Sequence, residues 1–215
     1  MSVQATAATE TRSYHHGNLA ASILERAAEI IDEEGIEALT LRGIARDLGV
    51  SHGAPNRHFK NKAALLCALA TSGWLSVRDA TLDAADATGS SNAHIRLNAM
   101  GQGYLRWAFA NRSLYRALYH PDVNRYASTE LKEAIDQFSQ TVRDAVEETQ
   151  KEGRAQDVPL NVLTVFTNAV PTGAALMLTD PLLHHDVESE GELDRLIEQI
   201  IELVVPVAGD SRLVA

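Results

Sequence analysis

"LRGIARDLGVSHGAPNRHFKNK", residues 41–62, is the stretch on which the rest of the chain turns. It holds Arg42, Arg46, Arg57, Lys60 and Lys62 against Asp47 alone, in a chain whose formal net charge is −10. Three glycines and a proline interrupt what otherwise reads as two short helices. Thr40 opens the first, with Leu41, Ile44, Ala45 and Leu48 as its apolar face, and Gly49 stops it. Gly49 can take the positive φ that a sharp reversal needs, and Val50 can plug the angle. Ser51 is a suitable cap for the second helix, expected from His52 to about Phe59. Helix, tight turn, helix is the helix-turn-helix arrangement, in which the second helix lies in the DNA major groove and the first crosses the backbone.

The charge distribution agrees with that reading. Residues 38–62 carry a net +4, residues 12–37 a net −4 and residues 63–215 a net −9. One small cationic face on an otherwise acidic body orients a molecule on a phosphate backbone. Arg42 and Arg46 are four apart and share one side of the first helix. Thr40 and Lys62, each at a helix start, can offer donors to phosphates. Gly53 and Ala54 let the backbone approach DNA closely, and Asn56, Arg57 and His58 follow. A helical corner whose charges are merely solvated is the plainer alternative.

Working outward, Leu19, Ile23, Leu24, Ala27, Ile30 and Ile31 form one stripe of a helix over 18–34, with Asn18 as cap and Gly35 as stop. Asn61 caps a helix from Lys62 into the middle 80s, and 86–92 reads as a loop. Further helices are expected over Ala93–Ala110, Ser113–Tyr119 and from Leu131 to Val146 with Gly153 closing it. Residues 158–179 are apolar nearly all round, which predicts burial on several sides, and Pro171 should bend them. The last helix is expected over about 190–205. No stretch alternates in the manner of a strand, so the fold class is all-α. The domains expected are a disordered tail 1–12, a DNA-binding domain 13–62 and a helical body 63–215.

Composition narrows the functions. Of 215 residues, 45% are apolar and 5% aromatic, which suits a packed helical core. Cys67 is the one cysteine, so neither an internal disulfide nor a cysteine-ligated zinc is possible, and a reducing cytoplasm fits. No uninterrupted apolar run approaches the ~18 residues of a membrane span, and the first dozen residues lack a signal-peptide core. His15-His16 and His184-His185 have no spaced partner to complete a metal set. Tyr14, His15 and His16 read better as an arm near the DNA backbone. There is no phosphate-cradling glycine loop, G-x-S-x-G or H-E-x-x-H, so neither an enzyme nor a bound cofactor is expected.

"AAEIIDEEGIEALTLRGIARDLGVSHGAPNRHFKNKAALLCAL", residues 27–69, resembles the TetR family of bacterial transcriptional repressors. The matching features are Gly35, Thr40–Leu41, Ile44–Ala45, Leu48-Gly49-Val50-Ser51, His58-Phe59, Asn61-Lys62 and Leu65-Leu66. "SYHHGNL", residues 13–19, looks like the entry to one branch of that family. Two positions depart from the pattern. Asn56 stands where the family has an aromatic residue that commonly contacts a phosphate, and Pro55 stands where Leu is common. Pro55 removes an early helical bond, so an irregular start to the reading helix is expected, and an operator unlike that of the aromatic-bearing members.

The resemblance implies a homodimer on double-stranded palindromic DNA, released by a small-molecule effector. The apolar helices 158–179 and 190–205 are the candidate dimer surface, through Leu163, Val170, Leu193, Ile197, Ile200, Ile201 and Val204. The alternative is that both helices close the protomer core. The family's effector pocket implies candidates among Trp74, Met100, Tyr104, Trp107, Phe109, Tyr115, Tyr119 and Phe166, with Tyr104, Trp107 and Tyr119 foremost. The competing function is a helical ligand-binding protein whose DNA-reading head is degraded at Pro55 and Asn56.

Overall fold

The computed structural model describes residues 19–179 and 189–204, and among these every regular element is helical. Helix α1, Leu19–Glu34, buries Ile23, Ala27, Ile30 and Ile31, the stripe expected of it. Gly35, at φ 86°, ends it; its expected cap, Asn18, lies outside the described residues. A 3-10 turn, Ile36–Ala38, leads to α2, Leu41–Asp47. Thr40 Oγ1 accepts the Gly43 N–H at 3.0 Å and so caps α2. Gly49 reverses the chain at φ 66°, and the Val50 N–H closes the turn on the Ala45 carbonyl at 3.0 Å.

The second helix of the expected pair does not form as an α-helix. Residues 52–54 are turn, followed by a single 3-10 turn, Pro55–Arg57, with no side-chain cap. The cause is Pro55, which has no N–H to return to the Ser51 carbonyl. That carbonyl takes the Ala54 N–H instead, three residues on, at 2.9 Å. Arg57 and His58 likewise donate three residues back, at 3.2 and 3.0 Å. Ser51 therefore shapes this segment through its carbonyl and not as a side-chain cap. Asn61 does act as a cap, accepting the Ala64 N–H at 2.9 Å, and α3 runs without a break over Lys62–Ala87.

The body comprises α4, Ala93–Ala110; α5, Arg112–Leu118; α6, Pro121–Arg125; α7, Thr129–Lys151; α8, Leu160–Thr179; and α9, Glu190–Glu202. Helix α6 was not expected; Pro121 begins it, because proline suits a first helical position. Helix α3 packs most extensively on α4. Gly103 permits this: a Cβ there would lie 2.7 Å from Ala84 Cβ and 2.8 Å from the Ala80 carbonyl oxygen. Helix α7 covers both, while α8 and α9 lie over α4. Helices α3 and α5 also touch α1, so one apolar core runs from Ile23 to Ile201.

Helix α8 is, by length and composition, apolar enough to cross a bilayer, with a mean hydropathy of 1.4. Asn161, Thr164, Thr167, Asn168 and Thr172 interrupt its apolar run, and its inner face packs on α4, α7 and α9. Pro171 lies inside it without ending it.

Candidate DNA-binding face and effector cavity

The α2 cap, the reversal at Gly49 and the start of α3 hold the cationic residues at one end of the molecule. Thr40, Arg42, Arg46 and His52 line one open concavity with Gly43, Glu34 and Asp47. Thr40 uses a lone pair for its cap, so its hydroxyl proton stays available to a phosphate. Arg42 is exposed. Arg46 contacts Asp47 at 3.3 Å, and Asp47 also takes Arg26 of α1 at 3.2 Å. That shared carboxylate positions α2 on α1 and offsets part of the Arg46 charge. Ser51, His52, Gly53, Asn56, Arg57 and His58 are exposed, Ala54 is half-buried and Pro55 is buried. Lys62 lies 3.6 Å from Glu37, so its charge too is partly answered within the protein. At Gly53 an added Cβ would meet open space, which leaves backbone accessible there.

A second concavity, partly open to solvent, lies among α3, α4, α7, α8 and α9. Leu97, Met100, Phe138, Val142, Pro171, Ile201 and Val204 make its apolar wall; Thr81, Asn98, Tyr104, Thr167, Asn168 and Thr172 supply its polar atoms. Of the residues expected in an effector pocket, Met100 and Tyr104 line this concavity. Trp74, Trp107 and Tyr115 are buried and Tyr119 is half-buried, and none of them lines it. The Trp107 indole N–H donates to Ser76 Oγ at 2.9 Å. Trp74 meets Tyr119 edge-on and Phe138 at a tilt, with ring centroids 6.0 and 5.3 Å apart. Phe166 faces outward and is 48% exposed. Burial raises the pKa of Tyr104 and Tyr115, so both phenols stay protonated.

Sequence reasoning missed Thr167, Asn98, Asn168 and Thr172. The signal was present as polar residues at positions 164, 167, 168 and 172, the i, i+3, i+4, i+8 pattern of one face of an otherwise apolar helix.

The expected dimer residues are mostly spent inside the protomer. Leu163, Ile197, Ile201 and Val204 are buried, and Val170, Leu193 and Ile200 are half-buried against the same core. Helix α9 turns its apolar seam onto α4 and α8 and leaves Asp194, Arg195, Glu198, Gln199 and Glu202 outside. Among the described residues, the other face of α8 carries the largest group of exposed apolar side chains. Val162, Val165, Phe166, Leu176 and Met177 are exposed there at helical spacing, and Leu203 beyond α9 is 67% exposed. Both His pairs and Tyr14 lie outside the described residues.

Two family models match separate parts of this chain. The model of bacterial regulatory proteins of the tetR family matches residues 23–69. That of the tetracyclin repressor-like C-terminal domain matches residues 97–204. The chain is 32% identical over 109 residues to the tetracycline repressor protein class D of Escherichia coli, across 51% of this chain. It spans about half the length of that relative, 49%. A solved structure of a protein with unknown function from Rhodococcus sp. RHA1 is 29% identical, with a TM-score of 0.71 over 89% of this chain and 98% of that one. A regulatory protein in the tetR family from Rhodococcus RHA1 shares the fold, at 23% identity and a TM-score of 0.66, over 86% of this chain and 96% of its own. On these matches, which together run from the N-terminal head through the helical body, the chain belongs to the TetR family of bacterial regulatory proteins.

Proposed function

We propose that this DNA-binding transcription regulator is a repressor, that it binds a palindromic operator as a homodimer, and that a small, largely apolar effector releases it. The reading includes a cytoplasmic location, which fits a lone buried Cys67. Members of the family are regulators and not enzymes. The observation that carries the DNA reading is the exposed cationic end itself. Thr40, Arg42, Arg46 and His52 converge on one open face, with Asn56, Arg57 and His58 exposed on the adjoining turn. The competing reading, a ligand-binding protein with a degraded head, draws support from Pro55, which leaves only a 3-10 turn where a reading helix is usual.

A single head touches few base pairs, so two are needed for a specific site. The outward stripe of α8 supports pairing through that face, as one half of a helix bundle. Helix α3 begins in the head and ends in the body, so it is the element through which a cavity occupant would alter the spacing of two heads. An effector shifts that equilibrium only by binding the two arrangements unequally.

Gel-shift titration on the DNA flanking the chain's own reading frame, at rising salt, separates the readings. Binding should weaken with a log–log slope of roughly −0.9 per contacted phosphate. Arg42→Ala should lower affinity for all duplexes alike and make that slope shallower by about 0.9. His52→Ala and Asn56→Ala should change sequence preference instead. Lack of binding to any duplex at low ionic strength would favour the ligand-binding alternative.

A further inference from the structure

Three buried side-chain groups among the described residues have no hydrogen-bond partner, Trp74 Nε1, His94 Nδ1 and Thr167 Oγ1, and of these Thr167 lines the body cavity, whose tyrosine is already satisfied. A phenol has one proton to give and accepts at its oxygen. Tyr115 gives its proton to the Thr172 carbonyl at 3.1 Å. In the 3.1 Å contact between Tyr104 and Tyr115, Tyr104 is therefore the donor. It then accepts from Tyr119 at 3.2 Å and from the Thr172 hydroxyl at 3.3 Å. Tyr104 is saturated by the protein and offers a ligand only its ring.

Thr167 differs. It lines the cavity, is 6% exposed, and its Oγ1 has no hydrogen-bond partner. Thr164 and Thr179, on the same helix, spend their hydroxyls on the carbonyls four residues back, each at 2.7 Å. One turn beyond Thr167, Pro171 lines the same cavity. Having no N–H, it leaves the Thr167 carbonyl without the donor that an α-helix would supply. One residue thus has an unused hydroxyl and a carbonyl stripped of its helical partner. No Asp, Glu, Lys, Arg or His lines the cavity among the described residues, so a charged ligand group would be desolvated without a counter-ion.

We propose that Thr167 is the specificity-determining residue of this cavity and that its ligand is an uncharged, mainly apolar molecule carrying a hydroxyl. A hydroxyl can both accept from Thr167 Oγ1–H and donate to the Thr167 carbonyl through one oxygen atom. The apolar remainder lies against Leu97, Met100, Phe138, Val142 and Ile201. This assignment rests on the effector reading above.

The test is calorimetric titration of the full chain with octan-1-ol, octanoate and 1-chlorooctane. These share a chain and differ in hydroxyl, charge and neither. The alcohol should bind at least about fivefold more tightly than the other two, the worth of one ordinary hydrogen bond. Thr167→Val keeps the side-chain size and removes the hydroxyl. It should weaken the alcohol about fivefold, leave 1-chlorooctane unchanged, and melt no lower than the parent because an orphaned group is gone. Thr167→Ser should restore the alcohol preference. Octanoate binding as tightly as octan-1-ol, or an alcohol affinity untouched in Thr167→Val, overturns the assignment while the cavity stands as a site. Absence of saturable binding by all three probes overturns the assignment and the cavity reading together.

Discussion

Thr40 has two duties that separate experimentally. Its Oγ1 caps α2, and the residue lines the concavity shared with Arg42, Arg46 and His52, with a hydroxyl proton not used by the cap. Thr40→Ala should therefore lower stability by about 1 kcal/mol in thermal melts and weaken DNA binding further than that loss explains. Equal melting of variant and parent would remove the cap from the account. His94, half-buried on α4, has an unpartnered Nδ1 and an Nε2 3.4 Å from Asn98 Nδ2. Burial first, then the Arg154 charge, lowers its pKa below the ordinary 6.5, against an opposing pull from Glu152. The folded chain thus prefers the neutral ring. Below pH 6.5 the unfolded chain takes up a proton that the folded one resists, so stability falls as pH falls through that value. His94→Gln should show a smaller drop in melting temperature between pH 7.5 and pH 5.5 than the parent. An equal drop in both would assign the acid sensitivity to other groups.

At the scale of elements, α3 is the piece that head and body share. Its N-terminus is set by Asn61, its first turns pack against α1, and its later turns seat on α4 at Gly103. The backbone contact at Gly103 has no flexible side chain to yield. Gly103→Val should force the two helices apart at a cost of about 1–3 kcal/mol, seen as a lower denaturation midpoint. Because α3 carries the head, DNA affinity should drop as well. An unchanged midpoint would mean that the two helices are not held at that contact. The reading turn shows the opposite situation, where one residue and not a packing contact sets the geometry. Pro55 withholds a single backbone donor, and a segment that could have been two turns of α-helix becomes one 3-10 turn.

For the whole molecule, the proposed homodimer requires an apolar surface that could meet a second copy. Ile197 is fully buried within the protomer, whereas Val165 on α8 is 68% exposed. Val165→Glu should yield folded monomers by sedimentation, with DNA binding lost at concentrations where the parent is bound. Ile197→Glu should instead unfold the chain, because a carboxylate would be buried without a partner. A dimeric Val165→Glu would move the interface off this face of α8. The acidic body then has a plain electrostatic role: positive charge at residues 38–62 and a net −9 over residues 63–215 leave one end of each protomer suited to a polyanion.

The order of residues alone determined what short-range physics controls. Thr40 and Asn61 cap helices because each side-chain oxygen reaches an N–H three residues on. Gly35, Gly49 and Gly153 end helices because each can take a positive φ. The cationic face was legible for a similar reason, since its charges sit close together in the chain and stay exposed after folding. The apolar faces of α8 and α9 were not legible in this way. Both sides of α8 are apolar, so periodicity names no inside, and α9 has one seam with two possible partners. Tertiary packing decided both: α4 takes the seam of α9 and the threonine-bearing face of α8, leaving Val162, Val165 and Phe166 outward. The same packing made Thr167 a buried group without a partner, because which hydroxyls go unanswered depends on neighbours distant in the chain.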